Sequence, residues 1–207
     1  MNEKSFKVII VGDLEVGKTS FIIKYTQNKF SQKYKATLGM DCVTSEVRKT
    51  PTDVIRVALW DICGQESSRV ALMPQFCRGA HACIVMVDIT RQSTLDGAIQ
   101  WKKTVDKQAL LPNGSSIPCL LLANKCDLPV GNVAKEDIVK VSEEHNFLKS
   151  VEISVKENQN VAESIEYLVD VMLAQEANST KLSRDEVDSA IRDLEFPPQK
   201  QRNVCCN

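Results

Sequence analysis

The sequence feature that most constrains the fold is the segment GDLEVGKT at residues 12–19. It matches the pattern G-x-x-x-x-G-K-[ST], follows an apolar run over residues 6–11, and precedes a helical pattern over residues 20–29. In a loop between a strand and a helix, glycines let backbone N–H groups turn toward phosphate oxygens, and the lysine and the helix N-terminus add positive charge. The segment therefore predicts a binding loop for a nucleoside triphosphate.

Apolar runs alternate with helical patterns along the rest of the chain. Several runs are continuous, which is typical of parallel strands covered on both faces; the predicted strands are residues 8–11, 54–60, 83–87, 119–123 and 151–154. A more polar strand at residues 43–49 is joined to residues 54–60 by a short connection, which predicts an antiparallel edge hairpin. The predicted fold class is therefore α/β, a P-loop NTPase fold with a six-stranded, mostly parallel sheet, one antiparallel edge strand and helices on both faces.

Three further helices are predicted between these strands. Residues 93–111 begin at Ser93, a favourable N-cap residue, and end at a Pro-Asn-Gly sequence. Residues 135–145 form a shorter helix, and an apolar stripe between Val161 and Leu173 predicts a helix that faces the core.

Length and composition limit the class of protein. The 207 residues predict one domain over residues 1–175 and a polar tail over residues 176–207. The net charge of −1 does not favour nucleic acid as a partner, and no apolar run is long enough to span a membrane. Six of the eight cysteines are scattered without metal-ligand spacing, so most are predicted to be small buried side chains.

Polar residues follow four of the predicted strands, and in parallel sheets ligands bind beyond the carboxyl ends of the strands. They are Asp61, Asp88, residues 124–127 (NKCD) and residues 154–156 (SVK). A buried carboxylate at Asp127 would accept two hydrogen bonds from the ring N–H and the exocyclic amine of guanine, which adenine does not offer. The alkyl stem of Lys125 would cover the purine ring. These residues predict a guanine nucleotide as the ligand.

Taken together, the motifs resemble those of Ras-like small GTPases of the Rab branch. The resemblance covers roughly residues 6–173 and rests on segments that match in order and spacing: GDLEVGKT, Thr37, WDICGQE at residues 60–66, NKCD and SVK. Leu14 and the sequences LPNG (111–114) and KEN (156–158) are most similar to the Rab subgroup associated with lysosome-related organelles. The resemblance implies a GTP-binding domain at residues 1–175 that binds GTP or GDP with Mg²⁺, hydrolyses GTP and regulates vesicle or organelle traffic.

The resemblance also implies a role for each matching residue. The phosphate-binding residues are Gly12, Leu14, Glu15, Val16, Gly17, Lys18, Thr19 and Gly64. The guanine-binding residues are Phe30, Asn124, Lys125, Asp127, Ser154, Val155 and Lys156. Mg²⁺ would be coordinated by Thr19 and Thr37 and reached through water by Asp61. Gln65 would orient the attacking water, with Lys18 and Thr37 as the other catalytic residues.

Partners are implied in the same way. Residues 31–41 and 62–75 would be two switches, ordered by the γ-phosphate and released after hydrolysis, with effectors binding there. No arginine in the motifs is placed to act in cis, so we expect slow intrinsic hydrolysis that an activating protein accelerates. An exchange factor would reload the nucleotide, and the protein would be a monomer.

The tail ends in Cys205, Cys206 and Asn207. This end resembles the double-cysteine ends of Rab proteins, which receive two geranylgeranyl groups and interact with the prenylation machinery and a dissociation inhibitor. It implies attachment to the cytoplasmic face of an intracellular membrane, with cycling through the cytosol. Upstream, a short helix over residues 183–194 competes with a largely disordered tail, which the polar composition favours.

Departures from the family pattern leave alternatives open. Glu15 stands where a small residue is usual, Cys42 replaces an aromatic residue, and Pro74 requires a short or broken helix in the second switch. One alternative is a Rab-like binding module with little or no intrinsic hydrolysis, which Gln65 and Thr37 oppose. The other is a P-loop kinase, which the NKCD segment and the cysteine end oppose.

Glu15 has two opposed interpretations of its own. It either repels the nucleotide phosphates or forms an ion pair with Lys125, which must pass close to the loop. We expect repulsion to be the larger effect, because an exposed ion pair contributes only about 0–1 kcal/mol.

Overall fold

The computed structural model describes residues 4–31, 37, 39–50, 53–64, 73–128 and 132–178. The strands within these residues are β1 (Lys4–Val11), β2 (Met40–Arg48), β3 (Val54–Ile62), β4 (Ala82–Asp88), β5 (Cys119–Asn124) and β6 (Lys149–Ile153). The helices within them are α1 (Lys18–Gln27), α2 (Met73–Cys77), α3 (Gln92–Gln108), α4 (Lys135–Glu144) and α5 (Val161–Asn178).

The six strands form one sheet in the order β2-β3-β1-β4-β5-β6. Every neighbouring pair is parallel except β2 and β3, which pair antiparallel from Met40 opposite Ile62 to Arg48 opposite Val54. Strands β4 and β5 are buried along their whole length, as their continuous apolar sequences require. The predicted fold class is therefore confirmed, although the edge strand begins at Met40, before the predicted start at residue 43.

The core lies on both faces of the sheet because side chains of a strand alternate between faces. In β1, Phe6, Val8 and Ile10 pack in a cluster that also contains buried residues of α1 and α5. Ile9 and Val11 pack in the opposite cluster, which contains buried residues of α2, α3 and α4. Helices therefore cover both faces of the sheet. A ligand site is expected at the loops that follow the carboxyl ends of the parallel strands.

The predicted start of α3 at Ser93 is wrong. The helix begins at Gln92, and the connection from β4 is held by the hydroxyl of Thr94, which accepts a hydrogen bond from the Asp88 N–H at 3.0 Å. The same hydroxyl lies 2.8 Å from the Arg91 carbonyl oxygen. The neighbouring threonine therefore makes the polar contacts that we expected from Ser93.

Two other helix boundaries have local causes. Helix α3 ends at Gln108, before the predicted residue 111, because the chain reverses and Leu110 pairs with Ser116. Helix α2 contains five residues, with Pro74 in its first turn, where the missing N–H costs no helical hydrogen bond. The expectation of a short helix at Pro74 is thus confirmed for the described part of this segment.

Six cysteines lie among the described residues, and all are free thiols. Cys63, Cys77, Cys83 and Cys119 are buried, as predicted for most of them, whereas Cys42 is exposed and Cys126 is half-buried. None of the described helices combines the length and the apolar composition that crossing a bilayer would require.

The predicted boundary between domain and tail at residue 175 falls inside a helix, because α5 continues to Asn178. Gln65, most of the two predicted switches, and residues 179–207 with Cys205 and Cys206 lie outside the described residues.

Strand β4 supplies the first prediction. Ile84 is fully buried in the sheet centre, so Ile84→Ala should lower the free energy of unfolding by about 2–5 kcal/mol. Leu110→Ala is the matched control, because Leu110 is 56% exposed and its loss should change stability by about 0.5 kcal/mol or less. Equilibrium urea unfolding measures both, and equal losses would contradict the central position of β4.

Candidate functional site

The loop over residues 12–17 joins β1 to α1 and requires glycine at two positions. Gly12 has φ 142° and Gly17 has φ 103°, values that L side chains rarely adopt. A Cβ atom on Gly12 would lie 2.3 Å from the Met86 carbonyl oxygen, and one on Gly17 would lie 2.4 Å from Asn124 Nδ2. The loop is therefore held closely against the ends of β4 and β5.

Lys18, the first residue of α1, is buried in this loop. Its Nζ donates hydrogen bonds to the carbonyl oxygens of Gly12 at 2.7 Å and Asp13 at 2.8 Å. Burial lowers the pKa of Lys18 to about 8, and the nearby Asp61 carboxylate opposes this shift. An anionic phosphate beside Nζ would favour the charged amine, so the geometry suits phosphate binding.

Three oxygen-bearing side chains meet beside Lys18. Thr19 Oγ1 donates to Asp61 Oδ2 at 2.5 Å, Thr37 Oγ1 donates to the same oxygen at 3.2 Å, and the two hydroxyl oxygens are 2.9 Å apart. Burial raises the pKa of Asp61, and hydrogen bonds from the threonines oppose that shift. Among the described residues, the buried Asp61 Oδ1 has no hydrogen-bond partner. Two hydroxyls and a carboxylate with an unpaired buried oxygen fit the hard oxygen ligands of Mg²⁺.

Asn124, at the end of β5, connects two loops through its buried side chain. Its Nδ2 donates to the Val16 carbonyl oxygen at 2.8 Å, and its Oδ1 accepts the Val155 N–H at 3.2 Å. The residue is 3% exposed, so neither loop could replace these bonds with water. Asn124 therefore links the phosphate loop to the loop that follows β6.

The carboxylate of Asp127 is oriented by the same loop after β6. Asp127 Oδ1 accepts the Ser154 hydroxyl at 2.6 Å, and Ser154 Oγ in turn accepts the Glu157 N–H at 3.0 Å. Lys156 Nζ lies 3.6 Å from Asp127 Oδ2 and 3.0 Å from Glu157 Oε1. Asp127 is thus an acceptor held in a fixed orientation in the same segment as Asn124, which contacts the phosphate loop, and such an acceptor could bind the donors of a guanine base.

Asp88 holds the lysine of the NKCD segment. Lys125 Nζ lies 2.6 Å from Asp88 Oδ2, and Arg91 Nε lies 3.1 Å from the same oxygen. Burial raises the pKa of Asp88, but hydrogen bonds from Lys125 and Thr90 outweigh burial and leave the pKa below its usual value. The ion pair fixes the ammonium of Lys125 at the end of β4.

Among the described residues, the ammonium of Lys125 pairs with Asp88, and no ion pair between Lys125 and Glu15 is present. Glu15 is exposed and has φ 65°, a left-handed conformation that is uncommon for a residue other than glycine. Its backbone therefore follows the path of a glycine-containing loop while its carboxylate faces solvent.

The remaining predicted site residues lie at the edge of this arrangement. Gly64 packs against the phosphate loop, since a Cβ atom there would lie 2.6 Å from the Asp13 carbonyl carbon and oxygen. Phe30, expected to pack on the base, is 39% exposed after the end of α1. Gly64 thus contacts the phosphate loop directly, whereas Phe30 stands at the surface beyond α1.

Sequence reasoning missed Arg91 and Trp101, which hydrogen-bond to the phosphate loop, and Gly97, which lies against the Asp13 carboxylate. Arg91 Nη2 donates to the Leu14 carbonyl oxygen at 2.7 Å, and Trp101 Nε1 donates to Asp13 Oδ1 at 2.9 Å. The only available signals were Arg91 directly after a strand-end motif and Gly97 inside a helical pattern. The sequence gives no signal for the contact of Trp101 with Asp13, because a tryptophan at this position also fits the apolar pattern of a core residue.

A phosphate loop, an oxygen ligand set and an NKCD loop at one edge of this sheet define a guanine-nucleotide-binding protein of the P-loop class. A sequence profile of the Ras family matches residues 7–174. The chain therefore belongs to the Ras family of small GTPases.

Named relatives place the chain in the Rab branch. The Ras-related protein Rab-7L1 of Homo sapiens is 41% identical over 176 residues, which are 85% of each chain. Rab-32 of Mus musculus is 39% identical over 208 residues, covering 99% of this chain and 91% of the relative. Rab-32A of Dictyostelium discoideum is 32% identical over 209 residues, covering 99% and 94% respectively. The protein is a small GTPase related to the Rab-32 subgroup, and it hydrolyses GTP and regulates membrane traffic.

The link made by Asn124 supplies the second prediction. Asn124→Ala would leave the Val16 carbonyl and the Val155 N–H without their partner, at about 1–3 kcal/mol for each group. Since a bound nucleotide needs both loops in place, GDP affinity should fall at least about 30-fold in a fluorescent-nucleotide titration. Asn132→Ala is the control, because Asn132 is exposed and its side chain donates to the Thr90 carbonyl oxygen; affinities of the two variants within about 3-fold of each other would contradict the link.

Proposed function

We propose that the described site is the nucleotide-binding and catalytic centre of this GTPase and that the residues named above perform its separate tasks. The observation that carries the proposal is Asn124, which hydrogen-bonds both the phosphate loop and the loop after β6. One ligand spanning these loops must carry phosphates at one end and a base at the other. Guanosine di- and triphosphates meet both requirements.

The phosphate end is assigned to residues 12–19. Backbone N–H groups of Leu14, Glu15, Val16 and Gly17 would surround the phosphate oxygens, and Lys18 would bind the outer phosphates from its buried position. Thr19 and Thr37 would hold Mg²⁺ directly and Asp61 through water. Bound Mg²⁺ would neutralise charge on the β- and γ-phosphates. Gly64, packed on the loop, would sense the γ-phosphate through its N–H.

The base end is assigned to the loops after β5 and β6. Asp127 would accept the two guanine donors, with Ser154 and Lys156 holding the carboxylate in place. The stem of Lys125 and the exposed ring of Phe30 would cover the purine. The Val155 N–H donates to Asn124 in this structure, so a contact with the guanine oxygen requires it to share or leave that bond.

Guanine selectivity tests the base assignment. Asp127→Asn replaces an acceptor by a group that also donates, so GTP affinity should fall about 100-fold or more while xanthosine triphosphate affinity rises. Competition of GTP, XTP and ATP against fluorescent GDP measures both changes. Lys140→Gln is the control, because it weakens a 4.0 Å ion pair with Glu144 on the exposed side of α4 and should change selectivity little. Equal GTP and ATP affinity in the unaltered protein would contradict the assignment.

Hydrolysis is assigned to a water oriented by Gln65, an assignment that rests on the family resemblance. The rival is a member that retains nucleotide with little intrinsic hydrolysis, and the left-handed Glu15 and Pro74 in α2 are the features that favour it. Lys18 and Thr37 would complete the catalytic set by stabilising charge at the phosphates.

Single-turnover hydrolysis of preloaded GTP distinguishes the Gln65 assignment from the rival with little intrinsic hydrolysis. Gln65→Leu should leave GTP affinity within about 3-fold and slow hydrolysis at least about 10-fold, because a leucine cannot orient water. Gln100→Leu, on an exposed position of α3, is the matched control. One common rate for both variants and the unaltered protein would favour the rival.

Membrane attachment and partners complete the proposal. Prenylation and action on membranes are typical of the Rab family to which the relatives belong, and we assign the lipids to Cys205 and Cys206. The protein would act on the cytoplasmic face of an intracellular membrane and cycle with a dissociation inhibitor. An exchange factor, an activating protein and effectors would contact the switches at residues 31–41 and 62–75.

Cell fractionation tests the lipid assignment. The double variant Cys205→Ser/Cys206→Ser should remain in the supernatant, because no other anchor is assigned. Each single variant should bind membranes weakly, since one lipid chain gives only marginal and reversible attachment. Undiminished membrane binding by the double variant would refute the assignment.

A further inference from the structure

The carboxylate of Asp13 lies on the side of the phosphate loop that faces α3. Asp13 follows Gly12 in the loop, and its Oδ1 accepts the indole N–H of Trp101 at 2.9 Å. Trp101 is 1% exposed and belongs to the core cluster between the sheet and α3, so its indole is firmly placed. The loop is thereby tied to a rigid helix through a side chain that none of the motifs requires.

Gly97 makes room for this carboxylate. It lies one helical turn before Trp101 on α3, and a Cβ atom there would lie 2.2 Å from Asp13 Oδ2 and 2.8 Å from Cγ. Glycine inside a helix lowers helix stability, and the close approach of the Asp13 carboxylate explains why glycine stands here, since any larger residue would collide with it. Gly97 and Trp101 therefore form a notch in α3, the Asp13 notch, in which the carboxylate is seated.

The backbone of Asp13 connects this notch to the groups that bind phosphate. Its carbonyl oxygen accepts a hydrogen bond from Lys18 Nζ at 2.8 Å. On its other side, Asp13 is in close contact with Gly64, where an added Cβ would lie 2.6 Å from the Asp13 carbonyl atoms. A shift of Asp13 out of the notch would therefore displace Lys18 or Gly64.

We propose that Asp13 is a positioning residue, which holds the phosphate loop in its nucleotide-binding geometry through the Asp13 notch and thereby sets the rate of GDP release. The proposal rests on the proposed function, since it assumes that residues 12–19 bind the phosphates of GDP. Arg91, which precedes α3, also helps to hold the phosphate loop in place, because it donates a hydrogen bond to the Leu14 carbonyl oxygen.

The test is the release of a fluorescent GDP analogue from the full chain, chased with excess GDP. Gly97→Ala should accelerate release about 10-fold, because the new methyl group occupies the position of the carboxylate. Trp101→Phe should accelerate release by a similar factor, since a smaller aromatic ring replaces the indole and the N–H donor is lost. Asp96→Ala, which removes an exposed carboxylate from the same helix, is the control and should release GDP at the unaltered rate.

Two further variants separate positioning from general destabilisation. Asp13→Asn keeps an acceptor oxygen for Trp101, so it should release GDP within about 3-fold of the unaltered rate, whereas Asp13→Ala should resemble Gly97→Ala. Once the carboxylate is removed, the notch has space for a methyl group. Gly97→Ala should therefore change release less than 2-fold in the Asp13→Ala background, a non-additivity that a general loss of stability would not produce.

Each outcome bears on one hypothesis. Normal release from Gly97→Ala, or full additivity of the two alanine variants, would overturn the role of the notch. If Trp101→Phe fails to fold, the cycle between positions 13 and 97 alone decides. Failure of the unaltered protein to bind GDP would instead refute the proposed function, and a titration before the release experiment distinguishes the two.

Discussion

The buried amide of Asn124 is the interaction on which the rest of the site depends. It satisfies a carbonyl group of the phosphate loop and an N–H group after β6, and burial makes each bond difficult to replace. The sheet order makes this possible, because β1, β4, β5 and β6 are successive neighbours that end at one edge. The loop over residues 12–17 and the loop after β6 are consequently one structural unit.

Buried charge is the second constraint, and the buried groups Asp88 and Lys18 meet it in different ways. Asp88 is compensated by Lys125, Arg91 and Thr90, so its pKa stays low and the ion pair orients the NKCD lysine. Among the described residues, Lys18 Nζ donates to two carbonyl oxygens and is influenced by the Asp61 carboxylate, and burial lowers the pKa of Lys18 to about 8. Such a lysine gains most from a phosphate anion. Asp88 therefore has its opposite charges within the protein, as expected of a structural charge, whereas Lys18 lacks a closely bound anion, as expected of a charge that binds a ligand.

Element boundaries show where pattern reasoning reaches its limit. The sequence predicts an edge strand from residue 43, yet pairing with β3 extends it to Met40. Ser93 has a favourable side chain for an N-cap, but contacts between Thr94 and the end of β4 determine where α3 begins. Pairing and packing override local preference in both cases, because backbone groups bond to whichever partner the assembled sheet presents.

The sequence by itself determined the α/β fold, the phosphate loop, the NKCD segment and the polar residues that end the strands. These features are encoded locally, because glycine conformations, continuous apolar runs and short motifs can each be recognised from a few neighbouring residues. Only the tertiary structure decided which of these residues meet. Asp88 binds Lys125 across 37 positions, and Trp101 binds Asp13 across 88. Neither pair has a sequence signal, because the strand order and the seat of α3 on the sheet bring the partners together.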